Sequence, residues 1–138
     1  MAFLQVNVNH SPAAQDLALV AAGKVDASVI VITEPYLFNG RLPSTPSWQR
    51  VFTQRAAILM KKDIRFAEIT VDSDSVVAVE IGGVLIVACY LSPNEEPNRS
   101  LNVVHGLLCR GRKVVLTGDF NCRISRFFTG RLRERSII

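Results

Sequence analysis

Apolar and polar positions change rhythm several times along the chain, and each change marks an element. Phe3, Leu4, Val6 and Val8 predict a strand over Ala2–Val8. Ser11-Pro12 then reads as a helix N-cap followed by proline at the first helical position. Leu17, Val20 and Ala21 sit at helical spacing, and Gly23 is a natural stop. Ala27–Thr33 is a continuous β-branched run, as expected of a strand buried on both faces. From Gly40 to Ser47 the prolines, glycine and hydroxyl residues spell a loop.

Arg50–Thr53, Ala56–Met60, Arg65–Val71 and Val76–Ile81 are the next expected strands, with Asp72-Ser73-Asp74-Ser75 as a turn. Gly82-Gly83 is a two-residue hairpin signal, and the apolar Val84–Leu91 behind it should be a central strand. After the Ser92-Pro93-Asn94 loop, Glu95 or Glu96 is expected to start a helix whose inward face is Leu101, Val104, Leu107 and Leu108. Acids at its start and Arg110 at its end suit the helix dipole, and Gly111 ends it. Lys113–Thr117 is the last clear strand, and beyond Asn121 the pattern dissolves. The order is strand, helix, strand, β-meander, helix, strand. That is an α/β (α+β) layered structure, with a domain over residues 1–121 and a basic tail over 122–138.

Composition narrows this only a little. At 138 residues, with 49% hydrophobic and 20% charged side chains, the chain is long enough for one globular domain. No apolar run reaches the ~18 residues of a membrane span. The N-terminus has no basic leader, so secretion is not expected. The three cysteines, Cys89, Cys109 and Cys122, match no zinc spacing; Cys89 reads as a core thiol. A nuclear or cytoplasmic location fits that usage. Charge is more telling. Residues 1–98 hold 7 Lys/Arg and 10 Asp/Glu, whereas residues 99–138 hold 9 and 2. Net charges of −3 and +7 suggest either an anionic partner such as nucleic acid or a solvated tail.

The candidate chemistry lies where apolar strands end. Val29-Ile30-Val31-Ile32-Thr33 runs into Glu34-Pro35-Tyr36, and Val114-Val115-Leu116-Thr117 runs into Gly118-Asp119-Phe120-Asn121. Buried strands joined through helices bind ligands at their carboxyl ends, where Tyr90 also falls. Glu34 and Asp119 are oxygen donors suited to Mg²⁺ or Mn²⁺ rather than zinc. Asp119 can instead orient or deprotonate a water nucleophile. Asn121 can hold that water or a phosphate oxygen, and Tyr90 can donate to one. Each also has a plainer reading: Asp119 as a turn former, Glu34 as a loop acid, Tyr90 as a core aromatic, Asn7 as a satisfied buried amide. His10 and His105 show no partner in the sequence. Gly106 to Lys113 imitates a phosphate-binding loop, but it runs from helix into strand, the reverse of what that loop needs.

Four short stretches together resemble the endonuclease/exonuclease/phosphatase family, and most nearly the apurinic-type endonuclease domain of non-LTR retrotransposons. They are Leu4-Gln5-Val6-Asn7 with Ser11, Thr33-Glu34-Pro35-Tyr36, Cys89-Tyr90-Leu91-Ser92-Pro93-Asn94, and Leu116-Thr117-Gly118-Asp119-Phe120-Asn121. The resemblance implies a four-layer α/β/β/α sandwich, present here in part, and divalent-metal-dependent cleavage of a phosphodiester in target DNA. It implies Glu34 as the metal-binding glutamate and Asp119 with Asn121 as the pair at the scissile phosphate. It implies Tyr90 as a phosphate contact and Gln5 and Asn7 as the first-strand pair near the metal.

It also implies a further segment with a Ser-Asp-His motif, which this sequence does not contain. The expectation is therefore a truncated domain, inactive alone, with most of its second sheet missing and an open inner face. Cys122 to Phe128 departs from the family pattern, so the tail is expected to be divergent sequence. The alternatives are a nucleic-acid-binding fragment acting through the arginines around Phe127 and Phe128, or a phosphoesterase of the same family.

Overall fold

The computed structural model describes residues 2–94, 96, 98–109 and 113–120. Asn121 and the basic tail lie outside them, as do Glu95, Arg110 and Gly111.

The first sheet has the order β1-β2-β4-β3, from β1 (Phe3–Asn7), β2 (Val29–Thr33), β3 (Trp48–Phe52) and β4 (Ala56–Lys61). The second has the order β5-β6-β7-β8, from β5 (Ala67–Ile69), β6 (Val76–Ile81), β7 (Val84–Leu91) and β8 (Lys113–Phe120). The helices are α1 (Pro12–Lys24), between β1 and β2, and α2 (Asn98–Leu108), between β7 and β8. Each helix is the crossover of a parallel pair, β1 with β2 and β7 with β8. The other pairings are antiparallel.

Alternation along the strands builds the layers. Val29, Val31, Ile58 and Met60 of the first sheet meet Val77, Val79, Ile86 and Ala88 of the second in one core. The opposite face of the first sheet, with Ile30, Ile32 and Leu59, packs under Ala18 and Ala22 of α1. The opposite face of the second, with Leu85, Val87, Cys89 and Leu116, packs under Val104 and Leu107 of α2. The result is helix, sheet, sheet, helix. All of β2 is buried, as its β-branched run predicts.

Several expectations are corrected. Among the described residues the second sheet has four strands and covers the inner face of the first, so that face is not open there. Gly23 lies inside α1 rather than after it, and Val25 caps the helix. The residues that mark α1 in the sequence do not face the sheet: Leu17 and Val20 are 68% and 55% exposed, while Gln15, Ala18 and Ala22 are buried. Ser11 does cap α1, accepting from Ala14 N at 3.1 Å.

No acid lies in the first turn of α2, which begins at Asn98. Pro97 disfavours the helical conformation at Glu96, whose carboxylate instead accepts from Asn98 N at 3.2 Å. β5 is shorter than expected, because an edge strand pairs on one side only. β3 begins earlier, at Trp48, because its pairing with β4 reaches Lys61. β8 runs past Thr117 to Phe120, because its pairing with β7 continues to Leu91. Gly82 and Gly83 both have positive φ, +56° and +79°, as a tight hairpin turn between β6 and β7 requires.

Candidate functional site

The two parallel pairs bring their carboxyl ends to the same end of the sandwich. There the inter-sheet face changes from apolar to polar: Gln5 and Asn7 on β1, Glu34 after β2, Tyr90 on β7, Asp119 on β8. Asp119 does not follow β8, as the sequence suggests, but lies within it, paired with Tyr90. Gly118 permits this. Its φ is +137°, and a Cβ there would stand 1.8 Å from the carbonyl oxygen of Cys89 on the neighbouring strand.

Two side-chain hydrogen bonds tie the sheets together at this end. The Tyr90 hydroxyl donates to Glu34 Oε1 at 2.7 Å. Asn7 Nδ2 donates to Asp119 Oδ2 at 3.1 Å. Gln5 Nε2 donates to the Gly118 carbonyl at 3.3 Å, so its amide braces the backbone and not a carboxylate. All three acceptors are oxygens, and each bond spans residues far apart in sequence. Asn121 lies outside the described residues.

Beside the Glu34–Tyr90 bond is a cleft of about 620 Å³, lined by residues that include His10, Glu34, Tyr36, Arg55, Tyr90 and Ser92. Asn7 and Asp119 stand outside that lining. Glu34 has φ +51°, and Asn9 and His10 have +49° and +59°. Such values are uncommon for non-glycine residues and collect where a structure holds its backbone for function. The surroundings of Glu34 do hold it: its N–H donates to Arg55 O at 3.0 Å, and its carbonyl accepts from His10 N at 2.8 Å.

Tyr90 is 7% exposed. Burial pushes its hydroxyl up to about 12, and the hydrogen bond to Glu34 and the charges of Glu34 and Asp119 push the same way. Arg55 pulls it down, which places a cation near the hydroxyl. The phenol therefore keeps its proton at neutral pH and acts as a donor.

Sequence reasoning gave His10, Gln15 and Arg55 no part here. His10 Nε2 lies 3.9 Å from Glu34 Oε1, and its Nδ1 is 3.2 Å from the Pro35 carbonyl. Its place just beyond a strand end is the signal that finds it. Nothing local marks Gln15 or Arg55, which reach the site through the packing of α1 and the turn between β3 and β4. His105, expected on a helix surface, is exposed on α2.

The groups that could hold a divalent cation are the Glu34 and Asp119 carboxylates and the Asn7 amide oxygen, which here accepts from Asn9 N at 2.8 Å. Among the described residues no three His, Cys, Asp or Glu gather around one point.

No known protein family and no curated protein matches the sequence. Solved structures do match. The endonuclease domain of TRAS1, a telomere-specific non-LTR retrotransposon, superposes with a TM-score of 0.74 at 19% identity, over 89% of this chain and 60% of that one. A 3′-5′ exonuclease from Neisseria meningitidis gives 0.65 at 20% identity, over 88% and 58%. An AP endonuclease from Archaeoglobus fulgidus gives 0.63 at 16%, over 86% and 57%. This chain thus spans less than two thirds of the length of each.

Proposed function

We propose that this chain, which has the endonuclease/exonuclease/phosphatase fold, carries the cation- and phosphate-holding part of a metal-dependent DNA endonuclease. One observation supports this above the rest. Strand ends from both sheets present two carboxylates, an amide and a tyrosine joined by the Glu34–Tyr90 and Asn7–Asp119 hydrogen bonds. A purely structural polar end would not require two acids with a strained backbone at one of them.

In this reading Glu34 holds Mg²⁺ or Mn²⁺, with Asn7 beside it and Gln5 bracing β8. When bound, such an ion polarises a phosphoryl group and offsets negative charge on the leaving oxygen. Tyr90, held protonated, has one proton to give, so it turns from Glu34 to a phosphate oxygen when the cation takes the carboxylate. Arg55 adds positive charge to the cleft that receives the strand. Asn7 fixes the Asp119 carboxylate, which faces the attacking water and orients it or takes its proton. Asn121 belongs to the same group by the resemblance of its motif. That these neighbours are nucleases, together with the basic segment from Arg99 onward, favours DNA over a small phosphoester.

The test measures binding before turnover. Mg²⁺ should raise the affinity of the purified chain for a DNA duplex, and Glu34→Gln should remove that increment. DNA affinity indifferent to Mg²⁺ overturns the proposal. In the same samples, nicking of supercoiled plasmid that disappears in Asp119→Ala identifies an endonuclease. Mg²⁺-dependent affinity without nicking is the behaviour expected of a sequence with no Ser-Asp-His motif.

A further inference from the structure

Gln15 is polar yet only 6% exposed, on the face of α1 that also buries Ala18 and Ala22. Its Oε1 accepts from Tyr36 N at 2.8 Å, and its Nε2 donates to Tyr36 O at 3.2 Å. One amide therefore satisfies both backbone groups of a single residue, as a neighbouring strand would. Just before the helix, His10 N–H donates to Glu34 O at 2.8 Å, and His10 Nδ1 lies 3.2 Å from Pro35 O. The carbonyls of Glu34, Pro35 and Tyr36 are all held from the α1 side.

This hold has a reason. Glu34 follows β2 with φ +51°, a conformation that a side chain bearing a Cβ keeps only when its surroundings impose it. Upstream, its N–H is fixed by Arg55 O. Downstream, Pro35 has no N–H to offer, so Tyr36 N is the next donor by which the segment can be anchored. Gln15 is the side chain that anchors it. A leucine at position 15 would fill the same space, but it would leave Tyr36 N and O without that partner.

We infer that Gln15 is a positioning residue for Glu34, its amide fixing the Glu34–Tyr36 backbone so that the carboxylate stays at the cleft. The inference rests on the cation-site reading above for its functional consequence, though not for the clamp itself. It also explains a polar side chain where the helix otherwise buries alanines. An asparagine, one methylene shorter, would not span from α1 to Tyr36.

The experiment uses the 138-residue chain and Mn²⁺, followed by the loss of the free-ion electron paramagnetic resonance signal. Gln15→Leu should weaken Mn²⁺ binding about tenfold or more, the range seen when supporting residues of metal sites are removed. Gln15→Glu keeps an acceptor for Tyr36 N, loses the donor, and should fall between. Leu19 is a partly buried side chain of the same helix that packs against the core of the first sheet, so Leu19→Ala, which loosens that packing, should leave Mn²⁺ affinity unchanged. That separates positioning from general destabilisation. Amide hydrogen exchange gives a second reading: the Tyr36 amide should exchange faster in Gln15→Leu while Val29–Thr33 stays protected.

Mn²⁺ affinity equal to wild type in both Gln15 variants overturns the inference. Should Gln15→Leu fail to fold, Gln15→Glu carries the comparison. Should the wild type show no Mn²⁺ binding that Glu34→Gln removes, the cation-site reading fails. Tyr36 exchange then still decides the clamp, and an unchanged rate in Gln15→Leu overturns it.

Discussion

A methyl group at position 118 would lie 1.8 Å from the carbonyl oxygen of Cys89, which belongs to the backbone of the paired strand and cannot move aside cheaply. Gly118→Ala should therefore cost about 4 kcal/mol or more, the range reserved for changes that force a packed structure apart. A urea midpoint within error of wild type would refute that. The neighbouring Tyr90 makes a prediction about pH. Its hydroxyl is raised to about 12, first by burial and then by Glu34, whereas an unfolded tyrosine titrates near 10. The folded state holds the proton more tightly, so this stabilisation is complete below pH ~10 and is lost as the pH climbs towards ~12. Between those values wild type should lose stability more steeply than Tyr90→Phe. Parallel pH profiles for the two would show that the shift is absent.

Among the elements, α1 is the one whose buried face the sequence conceals. Leu17 and Val20 carry its helical spacing, yet both are exposed. Substituting Leu17→Gln should change stability by less than about 0.5 kcal/mol, as is usual at surface positions. Ala22→Leu, against the first sheet, should cost about 1–3 kcal/mol through overpacking. Urea denaturation of the pair distinguishes the two faces, and the reverse ranking would mean that the helix is rotated. The ends of α1 matter as well. Ser11→Ala removes the bond to Ala14 N and should cost about 1 kcal/mol. At its other end Lys61 pairs with Asp26 at 2.5 Å, and that bond and the lysine charge hold the Asp26 carboxyl below its ordinary range. Both groups stand at the surface, so the pair contributes little to the fold.

At the scale of the whole molecule, charge and layering point in different directions. Through Phe120 the chain carries 11 Lys/Arg and 11 Asp/Glu, whereas residues 121–138 carry 5 Arg and 1 Glu. If the positive segment supplies DNA affinity, removing residues 123–138 should weaken binding at low salt. It should also flatten the dependence of affinity on salt, since fewer counterions are released. Equal affinity and equal slope with and without those residues would place the contact on the sandwich instead. Among the described residues no helix is long and apolar enough to cross a membrane.

The local code of this chain is largely readable. β6 and β7 fall at the bounds their patterns predict, β2 is the buried run it looks like, and the Gly82-Gly83 turn joins β6 to β7. A mixed α/β layered structure follows from the order of these runs, while the four-layer sandwich is expected only from the family resemblance. The sequence by itself determined these things because strand and helix periodicity are properties of neighbouring residues. It also supplied Glu34, Tyr90 and Asp119 as candidates, since a carboxylate or phenol at the end of an apolar run stands out.

Only the tertiary structure decided which of them meet. Asn7 reaches Asp119 across 112 positions and Tyr90 reaches Glu34 across 56, because two sheets stack with their parallel pairs at the same end. The extension of β8 through Gly118, the face that α1 turns to the sheet, and the grip of Gln15 on Tyr36 belong to the same class. Each depends on how closely one backbone approaches another. That distance is set by the packing of whole layers and is written in no single stretch of the chain.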